Sequence, residues 1–206
     1  MTWGHELGDN VLNVDGCVDL TIPSRRSYAA LIAAHYGMEY VCKAVCGGSN
    51  DQILRLLIEY LRTEDYSHDF ISIGWTAASR SEYLLDGIYR NFFTNTQNVG
   101  DALSRQMQEA HNFIMNQYSD SDIAYRYYNQ VFAAEAILAS YNIPNFMVNT
   151  LYFPGCGDVV AKNMILKETN FGSYVFSKYP IGPGHHPLEA GHEAWANAII
   201  SVLGNL

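Results

Sequence analysis

The sequence predicts an α/β domain with a mostly parallel sheet. Short apolar runs alternate with segments whose apolar residues recur at helical spacing, an order that builds strand-helix units. With 206 residues, 49% of them hydrophobic, the chain can bury a sizeable core, and no repeat or linker divides residues 1–206, so one domain is expected.

Ser24 is placed to cap a helix over residues 28–36, which Gly37 closes. Residues 39–46 read as a buried strand. Ser49 or Asn50 caps a second helix whose apolar face is Ile53, Leu54, Leu57, Ile58 and Leu61. Residues 70–75 form the next strand, after a polar Ser-His-Asp corner. Residues 101–141 are helical, in two pieces that meet near Ser119-Asp120-Ser121. Along the second piece Tyr125, Tyr128, Phe132, Glu135, Ile137 and Tyr141 make an aromatic-rich stripe, read as core because aromatics carry so much buried area. A strand over 145–152 leads into a loop around Pro154-Gly155-Cys156-Gly157. A short strand is expected over 173–178, and a final helix starts at Pro187 and runs to about Gly204.

Composition narrows the partners. A net charge of −9 and a pI near 5.1 exclude the basic face that a nucleic acid needs. No run of 18 apolar residues exists, so no membrane-spanning segment is expected, and no secretory signal is visible. The four cysteines, Cys17, Cys42, Cys46 and Cys156, form no Cys-x-x-Cys pair. At strand rise Cys42 and Cys46 would stand roughly 13 Å apart, too far to bridge. They read as small core fillers in a reducing compartment, and a cytoplasmic location follows.

Chemistry concentrates in three stretches. In His185-His186-Pro187 the proline suits the first turn of a helix, which holds His186 at the helix mouth, where an imidazole can serve as general base. The plain alternative is an exposed histidine pair. His192 falls on the helix and reads as a packing or supporting residue, as does His185 beside the base. These histidines lack a carboxylate or cysteine at ligand spacing, and His192-Glu193 lacks the second histidine of a zincin motif, so no metal is expected. Gly47-Gly48-Ser49-Asn50-Asp51 joins a strand end to a helix start, where backbone N–H groups can meet an anion; a turn that merely needs glycine is the simpler account. Ser49 reads as a helix cap rather than a nucleophile. Thr76, with Ser79 and Arg80 behind it, closes the strand at Trp75. Arg80 and Glu82 fit a loop-fixing pair as well as a role at a site.

The run His186-Pro187-Leu188-Glu189-Ala190-Gly191-His192-Glu193-Ala194-Trp195-Ala196 resembles the last block of the SGNH/GDSL hydrolases, His-Pro-x-x-x-Gly-His-x-x-x-Ala. Thr2-Trp3-Gly4-His5-Glu6-Leu7 looks like the end of the first block in the phage-type branch, where Gly-x-Ser leads into x-Thr-Trp-Gly-x-Glu-Leu. On that match the catalytic serine lies one position before Met1. The resemblance implies a three-layer, doubly wound parallel sheet of the flavodoxin-like kind. Its central first strand is missing from these residues and is expected upstream. It also implies His186 as base and oxyanion donors at Gly47 and, in place of the usual asparagine, Thr76. The family's aspartate three residues before the histidine is replaced by Pro183. A backbone carbonyl, Asp158 or Glu189 would then orient the imidazole. The implied activity is hydrolysis of small acyl esters, O-acetylated sugars among them, without a cofactor. The alternative is a catalytically silent protein of the same fold that binds a glycan or a partner chain, for instance in a phage particle.

Overall fold

The computed structural model describes residues 4, 6–12, 19, 21–93, 102–151 and 161–204. They form a mixed α/β structure in two compact units. The first comprises residues 1–46, 147–152 and 165–206, and the second residues 47–146 and 153–164.

The first unit is built on helices. Helix α1 (Tyr28–His35) is capped by Ser27, which accepts the Ala30 N–H, and not by Ser24. The Ser24 hydroxyl is engaged with Asp9 and also accepts the Arg26 N–H, so it organises the turn before the helix. Gly37, at φ +66°, ends α1 as expected, in the left-handed conformation that glycine adopts without steric cost.

Residues 39–46 are a correction: they form no strand ladder among the described residues. Val41 is 61% exposed and Val45 48%, while Cys42 and Cys46 are half-buried free thiols rather than core fillers. A strand is stable only when its N–H and C=O groups find a ladder partner, and among the described residues no strand pairs with this segment.

The expected strand over 173–178 is also replaced. Asn170 accepts the Ser173 N–H and starts the short helix α5 (Phe171–Val175). Helix α6 (Glu189–Leu203) begins two residues after Pro187 and ends at Gly204, whose carbonyl accepts the Tyr36 hydroxyl at 2.7 Å. Helices α1, α5 and α6 meet around Tyr28, Phe171, His192 and Trp195, all essentially unexposed. A Cβ on Gly191 would meet Pro187 and Val175 at 3.3–3.4 Å, so glycine sets how closely α6 approaches α5.

In the second unit Ser49 caps helix α2 (Asn50–Thr63) by accepting the Gln52 N–H. Leu57 and Leu61 are buried, while Ile58 lies on the exposed side. Strand β1 (Ile71–Trp75) follows where expected. Next comes an element the apolar pattern did not predict, an antiparallel hairpin of β2 (Ser81–Leu85) and β3 (Ile88–Phe92), with Leu85 opposite Ile88. Its two-residue turn is Asp86-Gly87, both at positive φ, the geometry favoured between right-twisted strands.

Helices α3 (Ala102–Gln117) and α4 (Asp120–Ser140) break at Ser119, as predicted. There a reciprocal capping box with Asp122 satisfies two backbone donors. The aromatic stripe of α4 is corrected: Tyr125, Phe132 and Tyr141 are exposed, and the buried face is Ala124, Tyr127, Val131, Ala134 and Leu138. Tyr127 meets Trp75 edge-on at 6.2 Å in the core of this unit.

Strand β4 (Asn145–Asn149) is shorter than the 145–152 predicted, and it pairs with β1 in a small parallel sheet. Within the second unit the Ile71 N–H donates to the Pro144 carbonyl at the start of that pairing. In place of a five-stranded doubly wound sheet, the described residues carry this pair and the hairpin. Met1, Thr2, Trp3, His5, Cys17 and the loop from Pro154 to Asp158 lie outside the described residues.

Candidate functional site

In the first unit His186 sits in a turn whose backbone is shaped around one carboxylate. Gly182 donates to the His186 carbonyl at 2.8 Å, and His185 donates back to the Gly182 carbonyl at 3.0 Å with φ +62°. Glu6, itself at φ +65°, sends its side chain into this turn. Oε1 accepts the Gly184 N–H at 2.6 Å, and Oε2 accepts both the His186 N–H at 3.2 Å and the His186 ring Nδ1–H at 3.0 Å. A Cβ on Gly182 or Gly184 would come within about 3 Å of that carboxylate (2.8 and 3.0 Å), so only glycine admits it here. Partial burial opposes ionisation of Glu6. The hydrogen bonds from Gly184 and from the His186 ring and N–H outweigh it and hold the carboxyl below its usual range.

The orienting group is therefore Glu6. Glu189 does not touch His186: it accepts the Gly8 N–H at 2.7 Å and pairs with Arg26 at 3.2 Å. Asp158 lies outside the described residues. With Nδ1–H held by Glu6, the ring is fixed in the tautomer whose Nε2 is the basic nitrogen, the arrangement a general base needs. Glu6 lies in Gly4-His5-Glu6-Leu7, and spacing near the histidine does not reveal it, since 180 residues separate the pair.

His192 is no part of this arrangement. It is buried, accepts the Tyr28 N–H on Nδ1 at 3.0 Å and packs against the Tyr28 and Phe171 rings. Burial pushes its pKa down to about 3, so it is neutral wherever the fold exists. The His185 ring is exposed, and that residue contributes the backbone bend.

Gly47, Thr76 and Arg80 belong to the second unit. Asn50 clasps the backbone of Thr76 from both sides, its Oδ1 accepting the N–H at 2.8 Å and its Nδ2 donating to the carbonyl at 3.1 Å. The Thr76 N–H is thus committed, leaving the hydroxyl as this residue's donor. Gly47 adopts φ +75° beside the Phe93 ring. Arg80 lies over that same ring and donates to the Gly48 carbonyl at 3.3 Å, which braces the glycine turn. Arg80 and Glu82 do not pair with each other. Glu82 makes a bidentate contact with Arg55, both bonds 2.7 Å, and so fastens β2 to α2. Among the described residues no group of three or more His, Cys, Asp or Glu could hold a metal ion. No helix among them is long and apolar enough to cross a membrane.

No protein-family model, curated protein or solved structure matches this chain. The functional reading therefore rests on its own residues.

Proposed function

We propose that this chain is an SGNH/GDSL-like serine hydrolase of small acyl esters, O-acetylated sugars among them, with Glu6 and His186 as its orienter and base. The observation that carries the reading is the three-point grip of Glu6 on the His186 turn. A carboxylate that binds Nδ1–H and two flanking backbone N–H groups fixes both tautomer and ring orientation, and it stabilises the imidazolium formed when Nε2 takes a proton. That proton would come from the serine the family resemblance places immediately before Met1. As the acyl-serine forms, Nε2–H returns the proton to the leaving alcohol, and water then repeats the cycle to release the acid.

The test uses the protein extended by the codons that precede Met1 in its reading frame, with p-nitrophenyl acetate as substrate. His186→Ala abolishes turnover. Glu6→Gln lowers kcat by about 10²–10⁴ with little change in KM, because it removes orientation and charge but no substrate contact. Full activity in both variants sinks the assignment of this pair, and no activity in the parent sinks the hydrolase reading and leaves a silent binding protein as the better one.

A further inference from the structure

The second unit holds an open pocket of about 440 Å3 that none of the assigned residues uses. Its size falls in the range of small-molecule sites. Asp51 of α2, Tyr118 at the α3–α4 junction, and Tyr125, Arg126, Asn129 and Gln130 of α4 line it. The α4 residues fall on one face by helical spacing, so the helix presents them together.

The chemistry of this lining is specific. Arg126 pairs with Asp51 and donates to the Ser81 hydroxyl at 2.8 Å. Asp51 also accepts from the Glu82 N–H at 3.1 Å and from Gln130 Nε2 at 2.6 Å. The two charges neutralise each other at the pocket wall, so neither an anion nor a cation finds an uncompensated partner there. What remains for a ligand is neutral. Tyr118 and Tyr125 are 44% and 68% exposed, and neither ring stacks on another described residue. The Asn129 amide is exposed and hydrogen-bonds to no described residue, and Gln130 commits only its NH2. Exposed aromatic faces beside planar amides and a fixed charge pair suit a ligand with an apolar face and a rim of hydroxyls, each hydroxyl both donor and acceptor.

We propose that this pocket binds a neutral saccharide, with Tyr118 and Tyr125 against the sugar's CH face and Asn129, Gln130 and the Asp51–Arg126 pair on its hydroxyls. The site shares no residue with the His186 turn and does not depend on the hydrolase reading.

Saturation-transfer NMR with maltotetraose, cellotetraose and the N-acetylglucosamine tetramer, each at millimolar concentration, tests it, with sialyllactose as anionic control. At least one neutral oligosaccharide shows transfer, and raising the salt leaves its affinity unchanged. Tyr125→Ala and Tyr118→Ala each weaken binding about tenfold, whereas Tyr125→Phe, which keeps the ring face, stays within about threefold. These side chains are exposed, so unchanged circular dichroism accompanies each loss. Transfer to sialyllactose alone, no transfer to any of the three neutral sugars, or full binding by Tyr125→Ala overturns the assignment.

Discussion

Replacing His192 with asparagine should remove an acid sensitivity from the first unit. The imidazole is 1% exposed, its Nδ1 accepts the Tyr28 N–H that begins α1, and burial pushes its pKa from 6.5 down to about 3. In the unfolded chain the ring takes up a proton near its ordinary value, whereas in the fold it stays neutral. Between those two values the unfolded state binds more protons, so stability is complete above about pH 6.5 and falls as the pH drops below it. The slope is about 1.4 kcal/mol per pH unit, which amounts to roughly 2 kcal/mol by pH 5. The depressed carboxyls of Glu6 and Glu189 act mainly below about pH 4.5, beneath the pH 5 end of the comparison.

Urea unfolding followed by tryptophan fluorescence at pH 7.5, 6 and 5 measures the effect. Asparagine keeps an acceptor for the Tyr28 N–H but does not titrate. The variant should start about 1–3 kcal/mol less stable, from the lost ring packing. It should then lose about 2 kcal/mol less than the parent on going to pH 5. Parallel loss in the two proteins, or a His192 ring signal in NMR that titrates above pH 5, would show that this imidazole is not held neutral by the fold.

Two further outcomes follow from the geometry. Gly184→Ala puts a methyl 3.0 Å from the Glu6 carboxylate. Esterase activity of the extended protein should fall at least tenfold while far-UV circular dichroism stays unchanged, and an unaltered His186 ring 15N spectrum would contradict it. Arg55→Ala leaves Glu82, whose side chain is 4% exposed, without its bidentate partner, and should cost about 3 kcal/mol by denaturant titration. Equal stability would mean that the pair contributes nothing to holding β2 on α2.

Elements with local causes were legible in the sequence. The Ser49 cap, the Ser119 break between α3 and α4, and the apolar run of β1 each depend on residues within one or two turns of themselves. Elements needing a distant partner were not. Residues 39–46 have strand composition, but a strand exists only in a ladder. Residues 173–178 have it too, yet Asn170 offers the backbone a helical turn at once. On α4 size misled. The aromatic stripe and the face of Ala124, Tyr127, Val131, Ala134 and Leu138 share the helical period, and it is the second face, four aliphatic residues and Tyr127, that turns inward. Asp86-Gly87 between Leu85 and Ile88 is a hairpin signal of purely local origin, outside the alternation of apolar runs and helical patterns that marks the other elements. In the candidate site, His186 stood out by its place before Pro187, whereas the Glu6 carboxylate that meets it lies 180 residues away and the glycines that admit it gave no signal of their own.

That separation gives the protein a clock. Ribosomal synthesis proceeds from the N-terminus, and domains fold as their residues emerge. All of the second unit has been made once residue 164 is out, but the first unit waits for its last segment, residues 165–206, to bring α5 and α6 to α1. Glu6 leaves the ribosome 180 residues ahead of His186. The pair forms only after residue 186 has emerged, so a nascent chain shorter than that holds the carboxylate without its imidazole.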